Sequence, residues 1–317
     1  MNRPVELMTT DGEPKRPFLL CWAHEQHGTG AWDGSVNDVL LEQHDYSDRE
    51  GNIKHFDYLL PMFRHKRYIR INDRPVFFFY RIDPKDAEAI GAVMALWQGL
   101  AVEAGLPGIP FMRFSGPFHD SVDLAGLEGF AQFEPGFSSY GPSLPGPPRV
   151  ADGPFTGFQL FDAEAVWAAA ERRADYPTQA RQFYRGTFHR WNNAPRRNFT
   201  NGIYDNYNYP TLYRNATTAG FERHLRRVHE LAANDGATIT GPEHFVLFTA
   251  WNEWNEQATL EPNDVDGYDT LSVVKRVFKP HGQDRHLCHH YGGGGAEAYM
   301  RDLWQLFGDY NHTWIQD

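Results

Sequence analysis

The sequence predicts an α/β protein, with βα units laid around a parallel sheet. Two observations carry that expectation. Short apolar runs bounded by turn residues recur through the chain, and segments with helical spacing lie between them. A chain of 317 residues is also a normal length for one α/β barrel domain.

In order, the runs that read as buried strands are Phe18–Trp22, Val76–Tyr80, Ile109–Phe114, Phe130–Phe133, Phe183–Phe188 and Phe245–Ala250, six in all. Helices are expected over Asp86–Ala104, where Gly105 stops the pattern, over Asp162–Ala174 and over Thr218–Ala233. Two stretches break the rhythm. Ser138–Pro154 holds five prolines and three glycines and reads as an extended surface loop. His281–Gly295 brings together His286, Cys288, His289 and His290 ahead of four consecutive glycines, but without metal-ligand spacing it reads as a second solvated loop. One domain spanning residues 1–317 follows, with no metal and no cofactor expected.

Composition narrows the function. The formal charge is −11, from 41 acidic against 30 basic residues, which disfavours nucleic acid as a partner because phosphate binding draws on clustered Lys and Arg. No apolar run reaches the roughly 18–20 residues that span a bilayer, so no membrane span is expected. Aromatic residues make up 15% of the chain, which suits sugar rings and suits a large aromatic core equally well. Cys21 and Cys288 are too few for a disulfide framework and read as reduced thiols. Met1–Arg16 lacks the apolar core of a secretory signal, so a cytoplasmic location is expected.

The strongest chemical signal is the run Phe245–Ala250 leading into Trp251-Asn252-Glu253-Trp254-Asn255-Glu256. Residues three apart face opposite sides of an extended strand, whereas a turn after the strand can aim both carboxylates into one cleft. Paired carboxylates are what glycosyl transfer requires, one ionised and the other held protonated. The bland alternative is a satisfied Glu and Trp cluster closing the barrel.

The same residues carry a family resemblance. Together with Leu260-Glu261-Pro262 and Gly267-Tyr268, they resemble the C-terminal signature of the WbsX-type glycosyltransferases, a family related to glycoside hydrolase family 99. Agreeing blocks run in order from Phe18 to Tyr268. They are Phe18–Glu25 with Trp32-Asp33-Gly34, His55–Pro61, Tyr68-Ile69 with Arg74–Arg81, and Trp191–Arg197. The resemblance implies a (β/α)8 TIM-type barrel acting on glycosidic linkages of an oligosaccharide or polysaccharide, lacking its first strands in this chain. It further implies that Glu253 assists the sugar's 2-hydroxyl and that Glu256 is the general acid and base. The sequence departs from the pattern at His24, where the family has Asn, and at Gln132, where it tends to have Glu, with Glu134 close enough to substitute.

Further candidates follow the strands, where a barrel's catalytic mouth lies. Trp22 and Glu25 follow the first strand, and Tyr80 and Arg81 the second. Arg81 fits either a sugar contact or a core ion pair. Trp191, Asn192 and Arg196 fit a sugar platform with a polar clamp, although packing suits Trp191 as well. Trp251, Asn252 and Trp254 flank the two glutamates as substrate contacts. His24 and His27 lack the spacing of a metal-binding helix, and Asp205, Tyr207 and Tyr209 fit a pocket rim or a plain surface loop.

Overall fold

The computed structural model describes residues 2–10, 15–23, 27–28, 39–42, 45–115, 122–135, 159–172, 182–196, 199–200, 203–204, 210–235 and 245–278. Both irregular loops, 138–154 and 281–295, lie outside the described residues, as do His24, Glu25, Asp205, Tyr207 and Tyr209.

Leaving aside three short antiparallel pairs, the strands among the described residues are β1 (Leu20–Trp22), β2 (Phe77–Phe79), β3 (Phe111–Ser115), β4 (Leu127–Gln132), β5 (Gln159–Asp162), β6 (Gln182–Thr187), β7 (Thr211–Arg214), β8 (Val246–Phe248), β9 (Asn252–Glu253) and β10 (Ala258–Thr259). The helices are α1 (Asn2–Thr10), α2 (Arg49–Arg64), α3 (Ala87–Glu103), α4 (Ala163–Arg172), α5 (Thr218–Asp235) and α6 (Asp269–Phe278). The six expected apolar runs form one six-stranded sheet in the order β1-β2-β3-β4-β6-β8, and every neighbouring pair is parallel. Running in chain order, the sheet places all six C-terminal strand ends on one edge. Parallel strands are covered on both faces, which is why these segments are near-continuous apolar runs rather than alternating ones.

Helix α2 starts at Asp48, whose side chain accepts from Glu50 N, and turns Asn52, Phe56, Leu59, Met62 and Phe63 inward at helical spacing. Helix α3 does the same with Ile90, Val93, Met94, Trp97 and Ala101. It ends where the sequence puts Gly105, at a φ of 80°. Gly105 N donates to Val102 O at 2.9 Å and Leu106 N to Ala101 O at 2.8 Å, a Schellman closure that needs a left-handed residue.

Strand alternation sorts the core into layers. Phe77, Phe79, Phe111, Phe130 and Phe183 join α2 and α3 in one cluster, while Phe78, Met112, Ala131 and Tyr184 face the other way and form a separate one. A third cluster joins α4, α5 and α6 around Phe161, Trp167, Phe188, Phe221 and Val273. Within it, Thr187 Oγ1 lies 2.9 Å from His224 Nε2, and His224 Nδ1 lies 2.8 Å from Glu171 Oε1. Trp167 stacks on the imidazole with ring centroids 5.5 Å apart. The chain of groups has the form of a nucleophile, base and acid, but Thr187 is fully buried on the helix side of the sheet. Burial also pushes the pKa of His224 down, with the Glu171 hydrogen bond opposing it. The arrangement is a polar tie between β6, α4 and α5, and it satisfies both ring nitrogens.

Candidate active site

The candidate site grows from two neighbouring strand ends. Strands β6 and β8 pair through Arg185↔Val246, Gly186↔Leu247 and Thr187↔Phe248, and Thr249 N continues the ladder to Thr187 O at 2.9 Å. The segment after β6 and the segment after β8 must therefore meet. After β8 the chain forms a small antiparallel hairpin, β9 against β10, with Asn252 opposite Thr259 and Glu253 opposite Ala258. Its tip is a single 3-10 turn over Trp254–Glu256, closed by Gln257 in the left-handed region at φ 49°. Glu253, the last residue of β9, precedes this 3-10 turn, and Glu256 is the turn's last residue.

The segment after β6 grips this tip. Asn192 N donates to Glu256 O at 2.8 Å, and Asn192 Nδ2 donates to Gln257 Oε1 at 2.8 Å. Asn192 Oδ1 accepts from Ala194 N at 3.0 Å, which starts the short turn that delivers Arg196. The Arg196 guanidinium forms an ion pair with the Glu256 carboxylate, and the two side chains are only 24% and 15% exposed. Within the same hairpin Trp254 Nε1 donates to Glu261 Oε2 at 2.7 Å, while Glu261 N and Leu260 N both donate to Trp251 O.

Behind the grip sits His189, buried against Phe221 with ring centroids 4.9 Å apart and Nδ1 3.4 Å from Thr270 Oγ1. Beside it, Arg190 is ion-paired with Asp266. Burial pushes the imidazole of His189 down to about 4, with Arg190 adding to the fall and Asp266 opposing it. The sign of the linkage follows. The unfolded chain takes up a proton near pH 6.5 and the folded one does so only near 4, so stability is intact above about 6.5 and falls between them. Urea titrations at pH 7 and pH 4 are expected to differ by about 3 kcal/mol from this group. His189→Leu should flatten that difference, and an unchanged pH slope in the variant would remove His189 as its source.

Residues 1–274 match the family described as Glycosyltransferase WbsX. The chain belongs to that family. It is also 27% identical over 281 residues to WxcX of Xanthomonas campestris pv. campestris, in strain B100 and in a second strain. That alignment takes in 88% of this chain and 37% of WxcX, so the chain spans little more than a third of these relatives' length. A solved structure of a glycoside hydrolase-like protein superposes with a TM-score of 0.44 and 12% identity, over 80% of this chain and 66% of that one.

In this WbsX-family chain, Glu256, Asn192 and Arg196 are in direct contact, with Glu253 on the same hairpin. Trp191 leads into the group but is half-buried against the α4–α6 cluster, a packing position. Tyr80 lies at the end of β2 with its ring 5.1 Å from Phe133, and the Arg81 guanidinium lies 5.6 Å from the Tyr80 ring centroid. Asn252 and the two tryptophans Trp251 and Trp254 are exposed on the hairpin. Trp22 does not join them. Its indole packs into the α2–α3 layer, stacked on Trp97 at 5.8 Å and 4.6 Å from His55, because alternation along β1 turns it to the helix side. Trp22 thus packs against the helix layer and is only partly buried.

Gln132 is likewise structural. Its Nε2 donates to Ala170 O at 3.1 Å and to Glu134 Oε1 at 2.5 Å, and both side chains are buried. Gln257, His189 and Asp266 were not anticipated from their local sequence. Gln257 and Asp266 do lie within or next to the motif that drew attention to Glu253 and Glu256. Among the described residues no helix is long and apolar enough to cross a membrane, and no group of three or more His, Cys, Asp or Glu is gathered to hold a metal ion.

Proposed function

We propose that this chain is the carbohydrate-acting part of an enzyme that transfers a glycosyl unit to a hydroxyl acceptor, with Glu256 exchanging the proton and Glu253 assisting. The observation that carries this reading is the Arg196–Glu256 ion pair, held at the shared C-terminal edge of two adjacent parallel strands. Arg196 is ion-paired with Glu256, and an ionised carboxylate is the form that accepts a proton. As the acceptor oxygen bonds to the anomeric carbon, its proton passes to Glu256, and the bond to the leaving oxygen breaks with its electron pair. Glu253 sits where the family 99 resemblance places the residue that assists the 2-hydroxyl. Asn192 fixes the backbone of the turn and so the position of the Glu256 carboxylate.

The same reading takes the six parallel strands as part of a (β/α)8 barrel. Pairing in chain order and helices packed on the Phe77–Phe79 side support it. Hydrolysis uses the same groups with water as acceptor, and a protonated carboxyl is then needed at the leaving oxygen.

The test is a screen of the purified protein against aryl glycosides and bacterial surface polysaccharides, with and without added acceptor sugars. Wild type, Glu253→Gln and Glu256→Gln are compared. Turnover is expected in the wild type, with a fall of about a thousandfold in Glu256→Gln and sugar binding retained. Sugar binding without turnover in the wild type would leave a carbohydrate-binding protein and sink the enzymatic reading.

A further inference from the structure

Among the described residues, four indoles are held in two different ways. Trp97 and Trp167 are buried, and each spends its N–H on a backbone carbonyl of a neighbouring element, Asn52 O at 3.0 Å and Phe188 O at 3.2 Å. Trp254 is anchored just as firmly, its Nε1–H donating to the Glu261 carboxylate at 2.7 Å, yet the residue is 50% exposed. Trp251, across the same hairpin, is 43% exposed. An anchored indole left open to solvent gives up the gain of burial and keeps the cost of being ordered, so the feature to explain is the combination.

Glu261 is itself fixed. Its backbone N donates to Trp251 O at 2.9 Å, and the preceding Leu260 N reaches Trp251 O and Ala250 O at 3.0 Å. The anchor of Trp254 is thus tied to the base of the hairpin whose tip carries Glu256, and the bond to a carboxylate is of the stronger, charge-assisted kind. A rigid aromatic face on the hairpin that also carries two carboxylates suits a ligand with an apolar face and polar edges. A pyranose has that form, with C–H groups on its faces and hydroxyls around its rim.

We propose that Glu261 is a positioning residue that clamps Trp254 as a platform for the C–H face of a pyranose ring, on the hairpin that carries Glu253 and Glu256. The proposal rests on the carbohydrate reading of this site and adds to it the residue that pre-orders the contact. Removing the clamp frees the indole, and the ligand must then order it again on binding.

The experiment uses the full chain labelled with 5-fluorotryptophan at its nine tryptophans, followed by 19F NMR. Trp254→Phe assigns the Trp254 resonance. Methyl glycosides of glucose, galactose and mannose are then titrated in turn. In the wild type the Trp254 signal is expected to shift saturably with at least one glycoside. Glu261→Ala should narrow the free signal and weaken binding about fivefold, with the melting temperature unchanged. Glu261→Gln keeps an acceptor oxygen and should restore most of the affinity. A Trp254 signal that no glycoside moves overturns the platform, and turnover lost in Glu256→Gln would then leave the enzymatic reading standing. A saturable shift in a wild type without turnover supports the platform and removes the catalyst. Equal affinities for Glu261→Ala and wild type would show that Glu261 does not position the ring.

Discussion

Alanine at position 186 is expected to leave little or no native protein, a loss of about 4 kcal/mol or more. Gly186 lies in β6, between the Tyr184 that pairs with Ala131 of β4 and the Thr187 that pairs with Phe248 of β8. A Cβ placed there would sit 1.9 Å from the backbone carbonyl oxygen of Gln132 and 2.8 Å from its carbon. A side chain can rotate away from such a contact, whereas a strand backbone held on both sides cannot. Glycine inside a strand weakens it unless another backbone approaches closely, and here the close approach is what the glycine allows. Relief would require β4 and β6 to part in the middle of the sheet and would pull on the segment that carries Asn192 and Arg196. Gly91 of α3 supplies the control, since a Cβ added there meets nothing within 4 Å. Gly91→Ala should stabilise the helix by about 0.5–1 kcal/mol. Soluble yield and thermal unfolding of the two variants read the contrast, and a Gly186→Ala protein that melts with the wild type would refute the close approach.

The same backbone argument explains what could be read from the sequence. All six strands of the sheet were legible, because a parallel strand covered on both faces is apolar at almost every position and needs no periodicity to be noticed. Strands β5 and β7 were not. Gln159-Leu160-Phe161-Asp162 and Thr211-Leu212-Tyr213-Arg214 are four residues long, polar at both ends, and pair with each other outside the main sheet. Helix ends were legible where a special residue set them, as Gly105 does for α3.

The contacts around the candidate site were legible only in part. Glu253 and Glu256 stood out because a strand delivers them, but the partners that fix Glu256 come from sixty residues earlier and leave no local trace. Trp22 shows what a strand-end position leaves open. A strand-end position indicates height in the sheet but not which face the side chain takes, and one residue of alternation separates the helix layer from the other face. His224 was invisible for a related reason, since its partners Glu171 and Thr187 lie 53 and 37 residues away.

Glu256→Gln and Arg196→Met are expected to act as one unit. If Arg196 serves to keep Glu256 ionised, its loss should slow turnover by about ten- to a hundredfold, while Glu256→Gln alone should cost about a thousandfold. The double variant should then be no slower than Glu256→Gln, because with the carboxylate gone the guanidinium has nothing left to hold. The pH profile separates this role from a merely structural one. Without the positive charge the carboxylate takes up its proton more readily, so in Arg196→Met the acid limb of kcat/KM should move to higher pH, and raising the pH should recover part of the rate. Arg196 also closes the contact between the two strand-end segments, and breaking a half-buried pair of this kind should lower thermal stability whatever the chemistry does. A lowered melting temperature with an unmoved acid limb would therefore make Arg196 a strut for the hairpin. A moved acid limb, with additivity lost in the double variant, would assign to the ion pair control over the protonation of Glu256 in the proposed glycosyl transfer.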